Sequence, residues 1–307
     1  MNASTSARSY ASTATASVLV ARDQKALAFT FLTSLATEVS KGHVDLPSFP
    51  KVVYQVRKVF EDPDSSAEQL VRVIGAEPML ATKILAMSNS ASFVKPGRPI
   101  TDLRNAVTRL GQQTLMTTVM AFALQELQKA PALRPIAGDL AKLWKHSVTV
   151  AAISQILSSR TKVNRDEAMF AGLVSSIGQL YILARSAAEP RLAGNAGLMS
   201  MITDWHPSIG KSVLENWGFA DSICAAVGAQ LEYERTERHI PDLTDILVAS
   251  VELAEVSKKP RPCQFALPAG IAAFKSLALE LEDCKKVIEH ADTEVQALLR
   301  ALGFQRV

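Results

Sequence analysis

Leu46-Pro47-Ser48-Phe49-Pro50-Lys51-Val52-Val53-Tyr54-Gln55-Val56-Arg57-Lys58-Val59-Phe60 sets the reading of the fold. Its prolines prevent regular helix across the first five residues and stiffen an extended entry. After Pro50, the residues Val52, Val53, Val56 and Phe60 fall on one helical face. Asp62-Pro63-Asp64 then makes a turn, and Ser65 with Glu68 has the spacing of a capping box. Leu70, Val71 and Ile74 form the buried face of that next helix. Pro78, after Glu77, suits the first turn of another, with Leu80, Ile84 and Leu85 as its apolar stripe.

Working outward, the same helical spacing recurs in both directions. Toward the N-terminus, Asp23 can cap a helix ending near Gly42, with Leu27, Phe31, Leu32 and Leu35 inward. Toward the C-terminus, Pro96, Gly97 and Pro99 make a break. Thr101 can cap a helix carrying Leu103, Ala106, Val107 and Leu110 that ends at Gly111. Further helices are expected over 113–128 and 140–157. Asn164 and Glu167 open one running toward Ala184. Others begin at Pro207 and at Ser222, and helices near 241–257 and 274–302 finish the chain. Nothing alternates with a period of two, and no hairpin signal is present. Pro131 and Pro135 flank a short seam. Either half alone would leave large apolar faces exposed, so it is not read as a domain boundary. The expected fold is an all-α, multi-helix bundle: a flexible tail over 1–22, a helical domain over 23–257, and a helical extension over 258–307 packed on it.

Composition supports helices over strands. Hydrophobic residues make up 48% of the 307-residue chain and aromatics only 6%, with Ala and Leu supplying much of the apolar content. The net charge is +3, and Arg8 and Arg22 supply two of those charges in an acid-free tail, leaving +1 for the rest. A nearly neutral folded part disfavours a nucleic-acid partner, and Lys258, Lys259 and Arg261 read as a solvated loop. Cys224, Cys263 and Cys284 fit no metal spacing and read as free thiols in a reducing compartment. No apolar run reaches the ~20 residues that cross a bilayer. The expected location is cytoplasmic, with no membrane association. A transit-peptide reading of the tail is weaker than a disordered one.

These segments together resemble the HDOD family. The resemblance rests on Leu46-Pro47-Ser48-Phe49-Pro50, Asp62-Pro63-Asp64, Ile74 with Glu77-Pro78, Asn89-Ser90-Ala91, and Ile100-Thr101-Asp102-Leu103 through Leu110-Gly111. It continues through Leu143-Trp144-Lys145-His146-Ser147, Ala171-Gly172-Leu173 with Ile177-Gly178, and His206, Ile209-Gly210, Leu214 and Trp217-Gly218. Each motif is weak alone; their order over roughly residues 40–257 is specific. The resemblance implies an HD-like helical core related to metal phosphohydrolases, which hold divalent metal with His ligands, a His-Asp dyad and a further Asp. Such a metal polarises a phosphoryl oxygen and generates hydroxide.

By that resemblance, His146 falls at the first ligand. The dyad position reads Ser175-Ser176, whose neutral hydroxyls replace an imidazole and a carboxylate poorly. His206 survives, a later His-containing stretch reads Gly228-Ala229-Gln230-Leu231, and the last Asp falls at Val251. His146, Ser175, Ser176 and His206 are therefore expected to form a vestigial pocket with no catalytic residue, metal or cofactor. The expected role is non-catalytic signal transduction or scaffolding through contacts with other signalling proteins, in bacterial regulatory pathways. Two alternatives stand beside it. One is a metal-dependent phosphohydrolase in which His146, His206, Asp204 and Glu232 converge; the other is a nucleic-acid-binding regulator.

Bland readings compete at each residue. His146 beside Trp144 suits a hydrogen-bonded core histidine, and His206 before Pro207 suits a helix start. His43 and His239 read as surface residues, and His290 suits a helix end. Val174-Ser175-Ser176-Ile177-Gly178 lacks the frame of a nucleophile elbow. The three tryptophans suit core packing. The polarity of Asn89-Ser90 is explained by a helix-ending turn.

Overall fold

The computed structural model describes residues 3–46, 49–90, 99–192, 194–236, 240–258 and 270–301; of residues 3–21 and 301 only the backbone is described. His239, Lys259, Arg261, Cys263, Pro96 and Gly97 lie outside the described residues.

No strand occurs among the described residues. The helices are α1 (Ala3–Ser40), α2 (Val52–Glu61), α3 (Ala67–Gly75), α4 (Pro78–Ser88), α5 (Leu103–Gln128), α6 (Ala137–Ser158), α7 (Arg165–Val174), α8 (Ile177–Ala187), α9 (Ala196–Asn216), α10 (Asp221–Gly228), α11 (Leu243–Ser257), α12 (Ala272–Ser276) and α13 (Leu281–Ala301). The fold is an all-α bundle. α2 to α5 pack on one another, α6 pairs with α7 and α11, and α9 is gripped by α1, α8 and α10. One contiguous apolar cluster runs from Ala28 on α1 to Val295 on α13 and passes through the 3₁₀ turn Pro131–Ile136, where Leu133 is buried.

Local chemistry explains the boundaries, and several differ from the sequence reading. α1 begins at Ala3, not at Asp23, so residues 3–22 are helical where a flexible tail was expected. The segment is rich in Ala and contains no Pro or Gly before Gly42, so nothing in it interrupts a helix. The capping box at α3 is Ser66 with Gln69, one residue on from Ser65 and Glu68. The Ser65 N–H is already used by the Asp62 carbonyl, and Ser66 has the extended conformation an N-cap needs. α5 is capped by Asp102, not Thr101, through the Asn105 N–H. Gly111, with φ +69°, kinks the run Leu103–Gln128 where the sequence reading ended one helix and started another.

Two further departures shape the site. The helix opened by Asn164 stops at Val174, and Ser175-Ser176 break the run before α8. Pro207 does not begin a helix but lies inside α9. Proline costs about 3 kcal/mol in a helix interior, so the preceding turns must be held otherwise. Asn195 caps them by accepting from the Leu198 N–H, and its amide donates to Gln24 O on α1. Gly197 lets α9 pack against the α1 backbone at Lys25.

One stretch among the described residues, Arg165–Ala187, is long and apolar enough to cross a membrane, and it is 89% buried inside the bundle. It spans α7, the serine break and α8, the centre of the core.

Candidate functional site

α6 carries His146 into the bundle on a turn whose Trp144 and Ser147 are buried. The His146 side chain is 11% exposed, and its Nδ1 lies 3.6 Å from Glu255 Oε1 on α11. That separation is too long for a hydrogen bond, and Nδ1 has no other partner. The expected hydrogen bond of a core histidine is therefore missing at Nδ1. Glu255 is meanwhile engaged by Lys258 Nζ at 2.5 Å. His206 sits inside α9, 4% exposed, and its Nδ1 is also unpartnered. It is not at a helix start.

The two imidazoles sit near enough to oppose each other's charge. Burial pushes His146 down to about 4, with Lys258 adding to the fall and Glu255 opposing it. Burial also pushes His206 down to about 4, and repulsion from His146 adds to it. Both are neutral at neutral pH.

Ser175 and Ser176 form the break between α7 and α8. The Ser175 hydroxyl turns back and donates to Gly172 O at 2.8 Å. Its carbonyl accepts from Gln230 Nε2 at 3.0 Å, and the same amide donates to Val227 O at 2.8 Å. Ser176 opens instead onto a narrow cleft with Trp144, Ser147 and Leu173, of about 10 Å³, the room of about one water molecule. The structure thus leaves His146 close enough for its charge to oppose that of His206, and uses the serines to join two helices. Gln230, in the stretch 228–231 that the sequence marks only for lacking a histidine, is the participant that sequence reasoning misses. Its signal was a long amide followed by an apolar residue, next to a helix end with free carbonyls.

The donor set does not fit a divalent metal. Asp204 and Glu232, which an altered ligand set would need, are exposed. No three His, Cys, Asp or Glu side chains converge among the described residues. Neutral hydroxyls and a carboxamide stand where such chemistry needs imidazole and carboxylate.

The other sequence motifs have packing roles. The Asn89 amide donates to Leu85 O and Ile100 O, and its oxygen accepts from the Ile100 N–H at 2.8 Å. This ties the end of α4 to the approach to α5, as a helix-ending turn should. Phe49 stacks on Trp217 with centroids 4.6 Å apart, and Tyr54 meets both rings edge-on. A Cβ on Gly172 would lie 2.6 Å from Ala151 Cα, so that glycine lets α7 touch α6. Gly178 does the same for α8 against α9. Cys224 and Cys284 are free and buried.

A family model, the HDOD domain, matches residues 46–233. No curated protein matches the chain. Among solved structures, the chain is similar to a presumed metal-dependent phosphohydrolase from Shewanella amazonensis SB2B. That match has 23% identity and a TM-score of 0.61 and covers 86% of this chain and 98% of that one. A presumed signal transduction protein from Marinobacter aquaeolei VT8 matches at 18% identity and a TM-score of 0.60, covering 91% of this chain and 66% of that one. An HDOD domain protein of unknown function from Geobacter sulfurreducens matches at 22% identity and a TM-score of 0.56, covering 89% and 97%. At these identities the likeness concerns the fold.

Proposed function

The chain belongs to the HDOD domain family, and we propose that within it this protein is a non-catalytic signalling module that works through contacts with other proteins. The observation that carries the proposal is the state of the dyad position. Ser175 is folded into the backbone, its hydroxyl donating to Gly172 O and its carbonyl accepting from Gln230, and a neutral hydroxyl is a poor replacement for an imidazole or carboxylate ligand. The two nearby histidines are neutral, buried and short of further ligands. The motifs that identify the family serve here as helix contacts and loop ties, which is what a module kept for its shape requires. The partners would be separate signalling proteins in the cytoplasm.

The test is hydrolysis. The protein is assayed with bis(p-nitrophenyl) phosphate and with cyclic dinucleotides, in manganese and in ferrous iron. The expected outcome is no turnover above buffer, for wild type and for the double variant Ser175→His/Ser176→Asp. The double variant still lacks a histidine in the stretch 228–231 and a carboxylate at 251, where the family resemblance places them. Turnover by the wild type would refute the proposal.

A further inference from the structure

α13 lies outside the stretch that matches the family, which ends at residue 233, yet it covers part of the bundle. It packs chiefly on α6, with contacts to α11 and to α4. Its buried face is a single stripe: Cys284, Val287, Ala291 and Val295, spaced by three or four residues. Ile288, Leu298 and Leu299 flank the stripe, partly buried. The opposite face, with Glu282, Lys286, Glu289, Asp292 and Gln296, is solvated. The side chains it fully buries are all small; no Leu, Phe, Tyr or Trp is among them. Near its start α13 is tied to the rest of the bundle by the partly exposed ion pair Arg160–Asp283, at 2.7 Å. Asp283 also accepts from the Glu280 N–H at 3.2 Å, which orders that first turn. The helices that hold the core itself are tied in more deeply: α7 and α8 through Gln230, α9 through Asn195 and Asn216.

We propose that α13 is a detachable cover, and that the face of α6 beneath it is the docking site for an amphipathic helix of a signalling partner. α13 itself shows what such a helix must carry. It needs small apolar residues at the spacing of 284, 287, 291 and 295, and an acid in the first turn to meet Arg160. A helix laid in such a groove is a common mode of recognition. The partner would compete with α13 for the face, so the cover sets the threshold for binding. This deepens the signalling reading above and rests on it for the identity of the occupant.

The buried thiols supply the test. Cys284 sits under the cover and Cys224 lies in α10, and burial pushes both up to about 11, so each reacts only when its surroundings open. The full chain carrying Cys263→Ser is labelled with a thiol reagent in increasing, non-denaturing urea. Cys284 is expected to label at least tenfold faster than Cys224, with a shallower urea dependence, the mark of a local opening. Arg160→Glu should speed Cys284 and leave Cys224 unchanged. A synthetic helix of residues 280–301 carrying Cys284→Ser, added in excess, should speed Cys284 further by occupying the face in trans, and a scrambled helix should not. Labelling of both thiols together, with one urea dependence, would show that α13 opens only when the whole protein does and would overturn the proposal. So would a competing helix without effect. Phosphodiester hydrolysis by the wild type would sink the non-catalytic reading while leaving the labelling result intact, so the two failures are distinguishable.

Discussion

Replacing Gly178 by alanine puts a methyl carbon 2.0 Å from His206 O, 2.8 Å from Gly210 N and 2.9 Å from His206 C. All three are backbone atoms of α9, so no side chain can swing aside. Ordinary contact begins near 3.4 Å, so α8 and α9 must part by about 1.4 Å along the shortest line. Overpacking of this kind costs typically 1–3 kcal/mol and occasionally more. The gain in helix propensity from Gly to Ala, about 1 kcal/mol at most, offsets little of it near a helix start. A net loss of about 2–3 kcal/mol is expected, read as a lower urea midpoint with an unchanged slope. Gly138→Ala, in the first turn of α6, is the control, because nothing lies within 4 Å of its Cβ position. That variant should match the wild type or exceed it by up to about 1 kcal/mol. A Gly178→Ala protein as stable as wild type would refute the close approach of α8 and α9 and, with it, the packing role assigned to this family motif.

Two other perturbations have defined outcomes. Both imidazoles fall from 6.5 to about 4 in the fold, so the neutral form is favoured and its stabilisation is complete above pH 6.5. It is lost as pH falls from 6.5 toward 4, by up to about 3 kcal/mol for each histidine. Urea titrations at pH 7.5, 5.5 and 4.5 should show this decline, and His206→Gln should flatten part of it; a decline identical in the variant would contradict the assignment. Asn89→Ala removes three hydrogen bonds, two of which tie the end of α4 to Ile100, and should cost about 2 kcal/mol. Hydrogen exchange near Ile100 should rise with it, and an unchanged exchange rate there would count against the tie.

Much of the bundle was legible because helix signals are local. Asn164 accepts from the Asp166 and Glu167 N–H groups as its position before Glu167 implied, and Pro78 opens α4. The errors at caps are one-residue choices between adjacent polar groups. Ser65 and Ser66, or Thr101 and Asp102, are told apart by backbone conformation, which neighbouring turns impose. The larger errors have tertiary causes. Pro207 reads as a helix start, but the first half of α9 is held by α1 through Asn195 and Gly197, residues whose partners are 171 and more positions away in the chain. The helix through Ser175 reads as continuous because nothing near it breaks a helix; the break is held by Gln230, 55 residues on. At the site, residue types told which ligands were absent. They did not tell that Gln230 would hold the break at Ser175, since that depends on how the end of α10 comes against the end of α7.

The proposed role requires that this bundle keep its shape without metal chemistry. It is tested most directly by elemental analysis of protein purified without chelators. The account predicts well under one-tenth of an equivalent of manganese, iron or zinc per chain, unchanged in His146→Ala and His206→Ala. A stoichiometric metal that is lost in either variant would contradict it.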